Sequence, residues 1–415
     1  MNMEGDSNPS DALHHARLCT QMPSTAVGIS QAVKAADVSM PPCSNTEVEF
    51  ASASDCQPSR WNLVSSRISR LMQMRSEYAT AVEFEIEASK VHWSELDSTN
   101  SDEDEENQTD VEVFQKLKEK WGDFFCDYGD GLVMGKKIAE GGQAEIYEAS
   151  WSSRAIFKLG EQVGGFDVLK VFKEGWALQH LQKQWPEGML QAGTRRGPIR
   201  RACVIDKGVM LNNGRFAFLM KKYWGDLRKL IDIRMQHNHN ACAPFTDDET
   251  GSIAAQIVEG MAALHKRNIV HRDMKASNIL LWVPNEKTFD AVHDPFWCNV
   301  ADFESSVGLV GTGYWRAPEI LRALQTGSIR SHLFDEKSDV YSFAMTYYEI
   351  LTGCIPFEDL GGRNYGMIIE GRRPELPSYI NPLLKALLNR CWHTNPLERP
   401  SFGNIGEQLK KIYLN

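Results

Sequence analysis

The stretch that decides the fold is Ile269-Val-His-Arg-Asp-Met-Lys-Ala-Ser-Asn278, which leads directly into the apolar run Ile279-Leu-Leu-Trp282. The apolar run has the length of a buried strand, so the polar stretch before it is expected to be a loop at the edge of a core. An acidic residue flanked by basic ones, as Asp273 is, is more often part of a surface ion pair. Here Lys275 and Asn278 follow at close spacing, which makes the loop the first candidate for chemistry.

This loop resembles the H-R-D-x-K-x-x-N catalytic loop of the protein kinase superfamily. The resemblance implies that Asp273 receives and orients the substrate hydroxyl and that Lys275 neutralises the migrating phosphoryl oxygens. It also implies that Asn278 supplies an oxygen ligand to a metal ion. Asp273, Lys275 and Asn278 are therefore the candidate catalytic residues for in-line transfer of the γ-phosphoryl group of ATP.

Two downstream motifs extend the resemblance. Asn299-Val-Ala-Asp-Phe-Glu304 resembles the D-F-G motif, so Asp302 is expected to bind Mg²⁺ at the nucleotide phosphates together with Asn278. Glu304 stands where glycine is usual, and we expect it to restrict the backbone of the following segment. Gly311-Thr-Gly-Tyr-Trp-Arg-Ala-Pro-Glu319 resembles the end of the activation segment.

Structural motifs of the family follow in the C-terminal part. Ser338-Asp-Val-Tyr-Ser342 resembles the helix whose aspartate, here Asp339, holds the backbone of the catalytic loop. Arg399 matches the arginine that forms a buried ion pair with the residue at the position of Glu319. We assign these residues structural roles and no part in catalysis.

The glycine-rich loop of the family has a modified counterpart. Ile138-Ala-Glu-Gly-Gly-Gln-Ala-Glu-Ile-Tyr147 resembles G-x-G-x-x-G-x-V, with alanine at the first and third glycine positions. Without the other motifs, a Gly-Gly turn between two strands is simply a hairpin turn. By resemblance, the nucleotide-binding candidates here are Ala139, Gly141, Gly142, Ala144 and Ile146.

The lysine that anchors the phosphates has two candidates. Lys158 has the better spacing from the glycine turn, whereas Lys170 lies in the β-rich run 168–172 that precedes an amphipathic segment. We choose Lys170 as the catalytic and nucleotide-binding lysine, which implies an insertion in the preceding loop. Its glutamate partner stays open between Glu174 and Glu187. Glu187 lies at a suitable distance but in Trp-Pro-Glu-Gly, a poor helix interior.

A strand ending in a connector is expected at Phe216-Ala-Phe-Leu-Met220. By resemblance, Met220 is the gatekeeper and residues 221–224 are the hinge whose backbone binds adenine. Lys221 and Tyr223 are the candidate binding residues there. Without the other motifs, the same segment is equally a strand-to-helix loop with no ligand.

The acceptor class follows from two residues that accompany Ser/Thr specificity in the family, Lys275 and Thr312. The sequence Cys391-Trp392 and the motif at 338–342 are similar to those of tyrosine kinase-like relatives. The chain is therefore identified as a Ser/Thr kinase of the tyrosine kinase-like group, with ATP and Mg²⁺ as cofactors and a protein as substrate. The alternative is a pseudokinase scaffold, motivated by the altered glycine loop, by Glu304 and by the glutamate partner that the sequence leaves open.

The expected fold is α+β and bilobal. A small β-rich N-lobe occupies about residues 130–222, and a larger helical C-lobe occupies about residues 225–415. Residues 1–125 form an N-terminal extension with a flexible tail, an amphipathic helix at about 61–93 and an acidic linker at 98–110. That helix either packs on the neighbouring domain or serves partner docking or self-association.

Charge and composition exclude several function classes. Residues 1–120 hold 21 acidic and 10 basic side chains, and the remainder is nearly balanced with 34 acidic and 35 basic. No surplus of Lys and Arg is available for nucleic acid or an anionic membrane. The 9 cysteines form no C-x-x-C pair, which favours a reducing compartment. Since no long apolar run occurs either, we expect a cytoplasmic protein, with access to the nucleus left open.

Overall fold

The structure, a computed structural model, describes residues 108–122, 124–129, 131–141, 143–151, 167–174, 178–182, 185, 199–237, 243–303, 313–326, 328, 333–358 and 365–413. The predicted tail, the amphipathic helix and the acidic linker up to residue 107 lie outside these ranges. So do Gly142, Lys158, Glu187, Glu304 and Thr312.

A six-stranded sheet forms the first part of the described region. Its strands are β1 (Phe125–Asp127), β2 (Leu132–Glu140), β3 (Ala144–Trp151), β4 (Asp167–Phe172), β5 (Ile205–Met210) and β6 (Phe216–Lys221). They lie in the order β1-β5-β6-β4-β3-β2. β1 runs parallel to β5, and the other neighbours are antiparallel. The interior position of β4 explains why every residue of this strand is buried.

The two faces of β4 belong to different cores, because successive side chains of a strand point to opposite sides. Leu169 and Val171 pack with Leu219 in a small cluster on one face. Phe172 joins the larger core on the other face. Lys170 lies two positions before Phe172 and shares its face, which directs the lysine toward the large core and the site described below.

A helix before the sheet, α1 (Asp110–Trp121), belongs to the same core. Thr109 and Glu112 form a capping box at its start, each side chain accepting a hydrogen bond from the other residue's amide. Phe114 is fully buried and meets Phe125 of β1 edge to face, with ring centroids 5.6 Å apart. α1 and β1 thus supply buried aromatic side chains to the N-lobe core, and the domain boundary near residue 130 stays a prediction.

Helices dominate the remainder. They are α2 (Leu178–Gln182), α3 (Leu227–His237), α4 (Asp247–His265), α5 (Pro318–Gln325), α6 (Glu336–Thr352), α7 (Gly366–Ile369), α8 (Pro382–Cys391) and α9 (Phe402–Tyr413). A second sheet contains β7 (Gly225–Asp226), β8 (Ile279–Trp282) and β9 (Trp297–Val300) in that order. Apart from α2, which follows β4, these helices and the second sheet form the C-lobe. In the described part of the chain, no helix combines the length and the apolar composition that a bilayer crossing requires.

The centre of the C-lobe is α6, most of whose residues are buried. Asp335 caps its start by accepting hydrogen bonds from two amides of the first turn, and Gly353 ends it with φ at 72°, a conformation that glycine adopts without strain. On α4, a Cβ atom at Gly260 would lie 2.6 Å from the carbonyl oxygen of Arg201, so only glycine permits this close approach. The predicted α+β architecture, a β-rich N-lobe followed by a helical C-lobe, is confirmed.

Candidate active site

One buried carboxylate binds the backbone of the loop that precedes β8. Asp339 of α6 is fully buried and accepts hydrogen bonds from the amides of His271 at 2.7 Å and Arg272 at 2.8 Å. Its Oδ2 atom also lies 2.8 Å from Nε2 of His265. Arg272 has φ at 69°, which strains a non-glycine residue by about 1–3 kcal/mol. The role predicted for Asp339 is confirmed, because its bonds hold the loop in this strained shape.

Three predicted catalytic residues lie together in this loop. Nζ of Lys275 is 2.8 Å from Oδ2 of Asp273. The amide nitrogen of Asn278 donates to the backbone oxygen of Asp273 at 2.7 Å and to its Oδ2 at 3.1 Å. Because the side-chain nitrogen of Asn278 donates to Asp273, the side-chain oxygen of Asn278 is the atom that can bind a cation. The Asp273 carboxylate is half-buried and held in one orientation by two donors.

The second part of the site joins the two lobes. Nζ of Lys170 on β4 lies 2.8 Å from Oδ1 of Asp302, which comes two residues after the end of β9. Desolvation acts to raise the pKa of Asp302, but the charge and hydrogen bond of Lys170 outweigh it, so this pKa lies below its ordinary value. The Asp302 carboxylate is therefore ionised at neutral pH. The structure thus places Lys170 at the site, and it leaves Lys158 outside the described residues.

The catalytic loop lies beside the Lys170–Asp302 pair because β8 and β9 are neighbours in the second sheet. Ile279 pairs with Val300, and the amide of Ala301 donates to the carbonyl oxygen of Asn278 at 2.9 Å. Asn278 and Asp302, which lie just outside the paired strands, are consequently brought close together. Asp302 has φ at 66°, a second strained non-glycine backbone in the site. Carboxylate and amide oxygens are ligands that suit Mg²⁺, so the donor set fits this ion.

The glycine turn closes the hairpin between β2 and β3. The amide of Gly141 donates to the carbonyl oxygen of Ala144 at 2.8 Å, and Ala139 pairs with Ile146. The methyl group of Ala144 is buried, whereas Ala139 and Gly141 are exposed. Glu140 accepts hydrogen bonds from two lysines, Lys137 and Lys173, which lower its pKa to about 2. Ion pairs therefore tie this turn to the end of β4.

The predicted hinge connects β6 to α3 through β7. Met220 is buried, as expected for a gatekeeper or for an ordinary core residue. The amide of Lys221 donates to Val204 at 3.3 Å and that of Trp224 to Leu281 at 3.0 Å. Because the backbone amide of Lys221 is already bonded, its backbone carbonyl oxygen is the group that can contact an adenine base. Burial beside Cys203 raises the pKa of the Tyr223 phenol, so this side chain is neutral and directed into the protein.

A buried ion pair stabilises the end of the activation segment. Arg399 is 1% exposed and donates to both carboxylate oxygens of Glu319, at 2.7 and 2.8 Å. Two parallel bonds of this kind are stronger than a single charged hydrogen bond. The predicted structural pair is confirmed.

Comparison with known proteins now decides the family. The family model described as protein tyrosine and serine/threonine kinase matches residues 132–409, which is more than half of the chain. The chain belongs to this protein kinase family. The resemblance inferred from the motifs is thereby confirmed, while the roles of individual site residues stay predictions.

Relatives of the chain come from plants and an amoeba. It is 26% identical over 320 residues to the serine/threonine/tyrosine-protein kinase HT1 of Arabidopsis thaliana, covering 72% of this chain and 71% of that one. It is 33% identical over 290 residues to the serine/threonine-protein kinase STY17 of the same plant, covering 68% of this chain and 44% of that one.

Other relatives are much longer than the matched region. A light-sensor protein kinase of the moss Ceratodon purpureus is 37% identical over 218 residues, which cover 47% of this chain and 16% of the moss protein. A probable serine/threonine-protein kinase of Dictyostelium discoideum is 38% identical over 165 residues, 39% of this chain and 12% of that protein. The similarity to these two therefore covers only a small part of each.

One structural residue of this domain was not predicted from the sequence. Glu349 of α6 is 2% exposed and accepts hydrogen bonds from the Trp315 indole at 2.9 Å and the Ala276 amide at 3.2 Å. Arg228 of α3 donates to its other oxygen at 3.2 Å. One carboxylate thus joins the catalytic loop, the end of the activation segment and α3. The sequence feature that indicates such a role is the presence of an acidic residue within the apolar run 343–351.

Proposed function

We propose that the chain is an ATP-dependent protein kinase that transfers the γ-phosphoryl group to serine or threonine hydroxyls of protein substrates. The observation that carries the proposal is the convergence of Asp273, Lys275 and Asn278 in one loop, beside the pair formed by Lys170 and Asp302. Family membership supports the proposal, and so do the relatives, whose names are those of serine/threonine kinases.

The reaction follows from what each side chain can do. Asp273 orients the substrate hydroxyl toward the γ-phosphorus and accepts its proton. The hydroxyl oxygen bonds to the phosphorus as the bond to the bridging oxygen breaks and ADP leaves. Lys275, now paired with Asp273 at 2.8 Å, is within reach of the oxygens of the group in transfer and offsets their charge. Lys170 donates to the phosphates of ATP from the opposite lobe. Catalysis then depends mainly on positioning and charge neutralisation.

A divalent cation suits the same site. Asn278 offers an amide oxygen and Asp302 a carboxylate whose pKa is held below its ordinary value. Mg²⁺ bound there would neutralise phosphate charge and fix the conformation of the triphosphate. Asp302 holds Lys170 at the same time, so one residue would place both the cation and the ammonium group.

The acceptor class rests on Lys275 and on the relatives, one of which carries tyrosine kinase as well as serine/threonine kinase in its name. The pseudokinase alternative gains no support from these relatives. We further propose that the phosphorylation serves signalling. On the sequence grounds given above, we also propose a cytoplasmic location.

The experiment is a radiolabelled ATP assay on a peptide library that contains serine, threonine and tyrosine acceptors. Asp273→Asn should lower incorporation about 10²–10⁴-fold, the range for losing a general base, while thermal unfolding stays near that of the wild type. The exposed change Asp248→Asn on α4 is the control. Equal incorporation in wild type and Asp273→Asn would end the proposal.

A further inference from the structure

The connection between β8 and β9, residues 283–296, is much longer than a hairpin turn requires. Asp290 organises it: one carboxylate oxygen accepts a hydrogen bond from the Val292 amide at 2.8 Å, and the other lies 2.8 Å from Nδ1 of His293. The amide of Asp290 donates to Asp294 at 2.9 Å. These local bonds restrict the loop to few conformations, so it is able to support another segment.

Two side chains of this loop contact the hinge. Oε2 of Glu286 lies 3.0 Å from Nζ of Lys222, and both side chains are partly buried. The ring of Phe289 meets the ring of Trp224 edge to face, with centroids 4.9 Å apart. Tyr223, a candidate base-binding residue, lies between Lys222 and Trp224. The loop therefore holds the residues on both sides of it.

The far end of the loop is anchored to α3. Arg234 is 4% exposed and donates to the carbonyl oxygen of Ala291 at 2.8 Å, with its guanidinium group 5.5 Å from the ring centroid of Phe296. Nζ of Lys229, also on α3, lies 4.2 Å over the ring of Trp224. The loop, α3 and the second half of the hinge thus form one connected group within the C-lobe.

Neighbouring hinge side chains are bound to opposite lobes. Lys221 is paired with Asp167 at 2.9 Å and with Asp206 at 3.5 Å, both in the N-lobe sheet. Lys222, the next residue, is paired with Glu286 of the C-lobe. A rotation of one lobe against the other must then change the backbone between Lys221 and Lys222, and the residues that follow move with the C-lobe.

We propose that Glu286 and Phe289 are positioning residues for the nucleotide, because they hold hinge residues 222–224 in the shape that receives the adenine base. The inference rests on the proposed function, which supplies ATP as the ligand. Neither residue belongs to the group around Asp273. Their loss therefore weakens ATP binding and leaves the transfer step unchanged.

The test measures binding of a fluorescent ATP analogue with Mg²⁺, and kcat and KM for peptide phosphorylation, on the full chain. Phe289→Ala should raise the Kd of the analogue and the KM for ATP about 3–10-fold, the range of an aromatic pair. Glu286→Gln should raise both about 2–5-fold. The kcat and the KM for peptide should stay within about twofold, and Phe289→Tyr, which keeps the ring, should retain wild-type affinity.

Charge reversal separates a specific pair from general loosening of the loop. Lys222→Glu and Glu286→Lys should each weaken nucleotide binding, and the double variant should recover it. Lys287→Gln and Trp282→Ala are matched controls on the same hairpin, because both side chains are exposed. We expect wild-type affinity from both controls.

Each remaining outcome is decisive. Unchanged affinity in Phe289→Ala and Glu286→Gln, or an equal loss in Trp282→Ala, overturns the inference and leaves the kinase proposal standing. A lower urea midpoint with unchanged affinity also overturns it, because the role is then structural only. A wild-type chain that binds the analogue without transferring phosphate overturns the proposed function, while binding by the variants still decides the inference.

Discussion

Nζ of Lys170 lies 2.8 Å from Oδ1 of Asp302, a contact that joins the central strand of the N-lobe to the end of β9 in the C-lobe. The two residues are 132 positions apart in the sequence. The Lys170 ammonium group comes from the N-lobe and the Asp302 carboxylate from the C-lobe. The site is therefore complete only when both lobes are folded and in contact.

Replacing Lys170 by methionine should abolish most of the activity. The variant loses the ammonium group that offsets phosphate charge, and removing one preorganised donor lowers kcat about 10²–10³-fold. Radiometric peptide phosphorylation measures the effect. The same change at Lys158 should leave the rate near that of the wild type, and the reverse pattern would assign the phosphate-anchoring role to Lys158.

Asp302→Asn should change the dependence on Mg²⁺. The variant loses a charged oxygen ligand and the partner of Lys170, so half-maximal activity should need about tenfold more Mg²⁺ and kcat should fall about 10²-fold. Titration of Mg²⁺ at saturating ATP, after treatment with a chelator, gives both values. Asp248→Asn, at an exposed site, is the control. An unaltered Mg²⁺ profile in Asp302→Asn would refute the assignment.

Arg399→Ala should lower the free energy of unfolding by about 3–5 kcal/mol, because it leaves the Glu319 carboxylate without its buried partner. Urea denaturation of the full chain measures the loss. Arg390→Ala, at an exposed position on α8, should change the value by about 0.5 kcal/mol or less. Similar losses in the two variants would show that the buried pair contributes no more to the free energy of unfolding than an exposed side chain does.

Phe114→Ala tests whether α1 belongs to the kinase domain. The side chain is fully buried against Phe125, so its loss should lower the free energy of unfolding by about 3–5 kcal/mol. The control is Val111→Ala on the same helix, where the side chain is 49% exposed. A negligible effect of Phe114→Ala on the urea midpoint would support the predicted boundary near residue 130 and leave α1 in the N-terminal extension.

Glu349 gives stability a defined pH dependence. Burial raises the pKa of its carboxyl group above the ordinary 4.5, although Arg228 opposes the shift. Between the unfolded and folded pKa values the folded state retains a proton that the unfolded state has released, so stability falls as pH rises through this window.

Glu349→Gln cannot titrate, so the stability of the wild type relative to this variant should decline as pH rises from about 4.5 and level off above the folded pKa. Urea denaturation of both proteins from about pH 5 to about pH 8 measures the difference. A difference that stays constant over this range would contradict the shifted pKa.

Prediction from sequence succeeded where the determinants are local. Asp273, Lys275 and Asn278 lie in one short loop, and Asp302 follows a strand that pairs with the strand after that loop. The β-rich run 168–172 also predicted the strand that holds Lys170. The packing of α1 could not be predicted, because the burial of Phe114 depends on β1 and β6, whose contact with α1 no local pattern reveals.

The amino-acid sequence by itself determined the family, the order of the lobes and the spacing of the catalytic loop, because these depend on residues that are close along the chain. Only the tertiary structure decided that Lys170 meets Asp302, that Glu349 joins three segments and that Glu286 meets the hinge. These contacts join segments that are distant in sequence and meet only in the folded chain. Their formation depends on the packing of both lobes, which the periodicity of the sequence does not specify.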